Sequence, residues 1–133
     1  MKAMRSVLSC LALLSASAAW AESWPVRPIR LIAPYPPGGL VDVLSRVMSE
    51  KLSPVLGQQI IVDNRHGAQG IVGAEIAKNS APDGYTFIHV NSSMMCINPY
   101  VYKKLPYDHR RDFVPVTQLG LVPLVIVVSP SLG

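Results

Sequence analysis

The sequence predicts an α/β domain built on a mostly parallel sheet. Three observations carry this prediction. β-prone runs alternate with amphipathic stretches, each change from strand to helix passes through a glycine-bearing loop, and the chain is long enough to bury a core. Strands that recur with a helix between them pair in parallel through right-handed crossovers.

Taken in order, the first residues, MKAMRSVLSCLALLSASAAWA, place Lys2 and Arg5 ahead of an apolar stretch that closes on Ala19, Trp20 and Ala21. A charged start, a short apolar core and an A-x-A site predict a cleaved secretory signal over 1–21, with the mature chain starting near Glu22. The apolar run is too short for a membrane span. Cys10 precedes most of that run, which argues against lipidation there. Cleavage leaves 112 of the 133 residues, one small domain. Two of the twelve basic residues leave with the signal, so ten face eight acidic ones, a balance of +2. So small and evenly spread a charge gives no nucleic-acid footprint. Cys96 is the one cysteine after the signal, which excludes an intrachain disulfide and favours a buried, inert side chain.

IRLIAPY (29–35) is a short apolar, β-prone run, ended by the proline and glycine pairs of YPPGG (35–39). Over 39–52, Val41, Leu44, Met48 and Leu52 fall at helical spacing, and Asp42, Arg46 and Glu50 follow at i, i+4 on another face. This predicts an amphipathic helix with one solvated stripe. Pro54 predicts its end or a kink, and Gly57 its closing turn. QIIVDN (59–64) is a second strand, RHGAQG (65–70) a second glycine loop, and IVGAEIAKN (71–79) a helix whose small residues suit close packing on a sheet. APDG (81–84) is a turn by its own chemistry, and YTFIHV (85–90) is a third strand. CINPYVYKKLPYDHRRD (96–112) reads as short irregular or helical structure. Two further β-prone runs, 114–121 and 124–129, are split by Pro123.

Parallel sheets hold ligands at the carboxyl ends of their strands, against helix N-termini. YPPGG, RHGAQG and NSSM (91–94) all fall at that edge. Glycine lets backbone N–H groups come near a partner, and proline holds the approach in one shape. A helix N-terminus carries about half a positive charge and attracts an anion without an arginine. The nucleotide alternatives fail on detail. Leu40, Val41 and Asp42 follow Gly39 where a P-loop needs Lys and Ser/Thr, and the second loop lacks the G-x-G-x-x-G register. Asp42 in the first helical turn would repel a highly charged phosphate, so a modest anion, or one held through water, is favoured.

Catalysis has little support: His66, His89 and His109 are scattered, with no Ser-His-Asp ordering. His66 reads as an ordinary loop histidine, and His89, within a strand, as packed or hydrogen-bonded. For Ser92 and Ser93, helix capping and hydrogen bonding to a carboxylate both stand. Lys103, Lys104, Arg110 and Arg111 read as solvated surface.

RPIRLIAPYPPGGLVDVLSRVMSEKL, GQQIIVDNRHGAQGIVGAEIAKNSAPDGYTF and INPYVYKKLPYD with the following DFVPVTQLGLVPLVIVVSPS together resemble the Bug family, periplasmic receptors of tripartite tricarboxylate transporters. The likeness covers nearly all of the mature chain, and its blocks are specific in combination. It implies the first lobe of a type II periplasmic-binding-protein clamshell: a mostly parallel sheet, helices on both faces, and a second lobe missing. It implies a first lobe over 22–123, incomplete, and a crossover strand over 124–133 leading towards the absent lobe. The implied protein is exported to the periplasm, is not an enzyme, and is a monomer when complete. It takes no cofactor or metal and binds no nucleic acid. Its partners are a small organic carboxylate and the membrane permease subunits. Carried over by position, Pro37, Gly38 and Gly39 belong to the first ligand loop with Asp42 just inside its helix. Gly67, Ala68 and Gly70 form the second, and Ser92 and Ser93 the third. The family usually has proline where His66 stands and glycine where Gln69 stands, so the second loop is less rigid and more crowded here. Two other readings stand beside the receptor: a truncated remnant of a receptor gene, and a small α/β enzyme.

Overall fold

The computed structural model describes residues 24–123 and 125–132. The expected signal sequence over 1–21, with its expected cleavage site and Cys10, lies outside the described residues, as do Leu124 and Gly133 of the expected crossover strand.

Three strands, β1 (Ile29–Ala33), β2 (Ile60–Asn64) and β3 (Thr86–Ile88), form one parallel sheet in the order β2-β1-β3. Ile29 pairs with Ile60, and Leu31 with both Val62 and Phe87. The first strand in sequence is central because it is apolar on both faces: Leu31, Ile32 and Ala33 are all buried. The two helices, α1 (Leu40–Leu56) and α2 (Ile71–Lys78), cover opposite faces. Under α1 lie Ile29, Leu31 and Ile60 with Leu56, Tyr85 and Phe87. Under α2, Ala74 packs with Met94, Tyr107, Tyr35, Ile71 and Ile88. The doubly wound arrangement that the alternation predicts is therefore present.

Three expectations need correction. The face that α1 turns to the sheet is polar. Asp42 and Ser45 are buried, Ser49 and Ser53 are half-buried below them, and Val43, Val47 and Val55 are exposed. The cause is the edge strand, whose outward backbone groups need partners. The Ser49 hydroxyl donates to the Ile60 carbonyl, while Ser53 accepts from the Ile60 N–H at 3.0 Å and donates to the Ser49 carbonyl at 2.6 Å. A serine stripe thus serves as the glue, and Asp42 is not on a solvated stripe. Next, α1 does not end at Pro54 but runs on to Leu56, and Gly57, at φ 69°, makes the closing turn as expected. A proline so near the C-terminus costs the helix one hydrogen bond, and the left-handed glycine makes the actual stop. Lastly, Cys96 is exposed. It sits in a π-helical turn, Ser93–Ile97, that turns Met94 inward and leaves positions 96 and 97 facing out.

The π turn continues into α3 (Asn98–Val101). Beyond it, 114–123 and 125–129 run exposed without strand pairing, and Pro130–Leu132 forms a 3-10 turn. β-prone runs become strands only beside another strand that pairs their N–H and C=O groups, and among the described residues none lies beside these.

Candidate functional site

All three strands end at one edge, and each is followed by a loop that leads into a helical start. Loop 1 (34–39) leaves β1, loop 2 (65–70) leaves β2, and loop 3 (89–92) leaves β3.

In loop 1, Pro36 and Pro37 stiffen the turn and Gly38 takes φ 80°, a left-handed angle that favours glycine. Gly39 stands at the N-cap of α1 with no side chain to cap it. The first N–H groups of a 17-residue helix are left for solvent or a ligand. Asp42 lies beneath this loop, 3% exposed, and holds it from inside. Its carboxylate accepts from Arg46 Nε at 3.0 Å, the Gly38 N–H at 2.8 Å and Asn64 Nδ2 at 2.9 Å. These bonds, the Arg46 one foremost, lower its pKa to about 2. Asp42 thus fixes the loop's shape, and Arg46 neutralises the charge that alone would oppose an anion.

The second part of loop 2, residues 67–70, has positive φ throughout. Gly67, Ala68, Gln69 and Gly70 have φ of 140°, 45°, 56° and 87°. The glycine usual at position 69 in the resembled family fits this geometry without strain, and Gln69 takes it with some. Gly70 is buried, and a Cβ there would lie 2.8 Å from Met94 Sδ. Gly70 opens α2, again without a side-chain cap. Arg65, the cation of this loop, is paired with Asp63 at 2.8 Å. Burial opposes ionisation of Asp63, yet Arg30 and Arg65 bring its pKa below the ordinary value.

In loop 3, Ser92 is exposed, stands at the N-cap of the π turn, and makes no capping hydrogen bond. The cap of this turn is Asn91, whose Oδ1 accepts the Met94 backbone N–H at 3.2 Å. Ser93 is half-buried at the start of the same turn. His89, just before, hydrogen-bonds through Nδ1 to the buried Ser45 hydroxyl at 3.0 Å, and burial lowers its pKa. That agrees with a packed, hydrogen-bonded histidine. His66 is exposed in loop 2.

Four residues that the sequence reading passed over bind these loops together. Asn64, the last of β2, reaches the Tyr35 carbonyl at 3.3 Å as well as Asp42. Tyr35 donates its phenol to Asn91 Oδ1 at 3.0 Å and lies 3.5 Å from the Gln69 carbonyl. Asn98, buried, donates to that same carbonyl at 3.2 Å. The one signal in sequence was position: polar amides closing or following apolar runs. Two concavities, about 420 Å³ around Pro99, Tyr102 and Arg110 and about 400 Å³ along β2, have no loop residue in their walls. Among the described residues no group of His, Cys, Asp and Glu could hold a metal, and no helix is long and apolar enough to cross a membrane.

One pH dependence follows. Asp42 ionises far more readily folded than at its ordinary 3.8, so it stabilises the fold above that value and ceases to as pH falls towards about 2. The thermal midpoint is expected to hold near neutrality and drop between pH 4 and 2. Asp42→Asn should show a lower midpoint at pH 7 and a shallower acid drop; a drop of unchanged depth would remove Asp42 from the linkage.

A doubly wound lobe with bare-backbone loops gathered at the carboxyl edge of its sheet has the architecture of a periplasmic-binding-protein lobe, and solved structures of that class superpose on it. Residues 44–132 match the profile described as "Tripartite tricarboxylate transporter family receptor", and the chain belongs to that family. It is 42% identical over 113 residues to protein BugT of Bordetella pertussis, covering 84% of this chain and 35% of that protein. Among solved structures, MatC from Rhodopseudomonas palustris with bound malate superposes with TM-score 0.67 at 32% identity, over 70% of this chain and 32% of that one. Rpa4515 of R. palustris with adipate gives 0.63 at 36% identity, over 65% and 29%. The chain thus spans about a third of the length of the relatives it matches.

Proposed function

We propose that this chain is the first lobe of an exported receptor that captures a small di- or tricarboxylate and passes it to the permease subunits of a tripartite tricarboxylate transporter. The observation that carries the reading is the meeting of three helical starts at one sheet edge, two of them, those of α1 and α2, without a side-chain cap. Such an edge attracts an anion of low charge density by backbone N–H groups, directly or through water. Arg46 and Arg65, the nearby cations, are already paired, so a nucleotide phosphate gains nothing from them. The malate and adipate of the related structures support the carboxylate class. In this role the lobe grips one carboxylate from Pro37, Gly38, Gly39, Gly67, Ala68, Gly70, Ser92 and Ser93, with Asp42 supporting loop 1. It performs no covalent chemistry.

The test is a titration of the ¹⁵N-labelled chain with malate, read by amide shifts. Movement confined to 38–41, 67–71 and 92–94, and absent with the uncharged diamide of malate, is expected. Shifts elsewhere, or equal shifts with the diamide, would overturn the reading. Export is tested separately. Expressed with its own leader in a Gram-negative host, the periplasmic protein should have the mass of a chain starting at Glu22, and a retained leader or a lipid on Cys10 would contradict that.

A further inference from the structure

We propose that Asn91 is a ligand-contacting residue that decides for carboxylates, and that Tyr35 positions it by locking its carboxamide with the NH₂ group outward. The inference deepens the carboxylate-receptor reading and rests on it.

The donors around the Asn91 amide decide which of its atoms faces inward. The Met94 backbone N–H, a donor that cannot accept, points at one amide atom of Asn91 at 3.2 Å. That atom must be the oxygen. The Tyr35 phenol sits 3.0 Å from the same oxygen. Its single hydrogen goes there, because the competing Gln69 carbonyl is farther, at 3.5 Å. Burial raises the Tyr35 pKa, which keeps that hydrogen in place. With Oδ1 saturated by two donors, Nδ2 is the free end.

Nδ2 has no acceptor in the protein among the described residues, and no buried side-chain nitrogen or oxygen there lacks a partner, so this NH₂ reaches solvent. It does so beside Ser92, at the edge where loops 1 and 2 arrive. Tyr35 belongs to loop 1 and its hydroxyl touches loops 2 and 3, so the same side chain that orients Asn91 also sets the distance between the three loops. A side-chain donor held in this way adds a directed hydrogen bond to a carboxylate that already faces backbone N–H groups.

Asn91→Asp separates this from a structural role. The carboxylate that replaces the amide still accepts from Tyr35 and from Met94, so both internal bonds survive, but the outward donor becomes a negative oxygen. At pH 7 the malate dissociation constant should rise about tenfold or more, as expected for a lost hydrogen bond to a charged group, with the thermal midpoint kept. In the wild-type chain the Asn91 side-chain NH₂ resonances should move with malate. In Tyr35→Phe they should shift before any ligand is added, and malate affinity should fall about threefold or more. Should Asn91→Asp fail to fold, the wild-type NH₂ resonances and Tyr35→Phe decide. If loop amides respond to malate while the Asn91 NH₂ stays still and the variants bind as the wild type does, the inference is wrong. If no wild-type amide responds, the carboxylate reading itself falls.

Discussion

Gly73→Val is expected to lower the stability of the chain by about 3 kcal/mol or more, at the upper end of what overpacking costs. A Cβ at residue 73 would lie 2.6 Å from Pro34 Cβ, 3.1 Å from Pro34 Cα and 3.1 Å from the Arg65 carbonyl. None of these is the far end of a flexible side chain. They are the start of loop 1, just past the central strand, and the start of loop 2, so α2 itself must lift. Lifting α2 loosens Ala74 from Met94 and Tyr107, and with it the wall that orders loops 2 and 3. Gly73→Ala makes the sign informative. Helix propensity favours alanine by about 1 kcal/mol, and the clash opposes it by more. A urea midpoint that falls for alanine and falls further for valine is expected. A rise for alanine would mean that α2 has slack against the sheet.

That glycine was legible only as part of a small-residue helix suited to close packing, while its actual neighbours came from the fold. The strand order and helix placement could be read from sequence because they follow from local pattern: IRLIA is apolar on both faces, and a glycine loop separates each strand from its helix. The polar face of α1 could not. Counting apolar residues at helical spacing chose Val41, Leu44 and Met48, but the strand beside the helix has backbone groups to satisfy. Ser49 and Ser53 meet that need at Ile60, while Ser45 bonds the His89 imidazole. Which side of a helix faces in is a property of the pair, not of the helix alone.

The site divides in the same way. Bare loops at the carboxyl edge follow from Gly39 and from Gly38, Gly67 and Gly70, whose positive φ gives a local reason for glycine. Asp42 was readable as a residue of the first turn, yet not as the support under Gly38, since two of its partners lie 4 and 22 positions away in sequence. The Tyr35–Asn91 and Asn98–Gln69 bonds act across 56 and 29 residues, which no spacing rule reaches.

Gly39→Val should abolish the malate response of the loop amides while leaving the fold in place, and that combination is the most direct test of where the carboxylate sits. Gly39 has φ −75° and ψ 168°, extended angles that valine adopts readily. Its Cβ would lie 3.3 Å from the Pro36 carbonyl, so the loop must give by a few tenths of an ångström. Valine is also a poorer N-cap than glycine. The loss of stability should stay near about 1 kcal/mol. What changes is the surface: a branched side chain now stands over the first N–H groups of α1, where an anion of low charge density would come to rest. Gly38→Val is the counterpart. It has open space around its Cβ but φ 80°, so its cost is backbone strain, of order 1–3 kcal/mol, and the bond from its N–H to Asp42 is disturbed as well. The expected pattern is therefore asymmetric. Position 39 loses binding by tenfold or more, equivalent to about 1.4 kcal/mol, at near-native midpoint, and position 38 loses both stability and binding. If Gly39→Val keeps the wild-type shifts at 38–41, the bare backbone of the first loop is not what the carboxylate meets, and the grip belongs to loops 2 and 3.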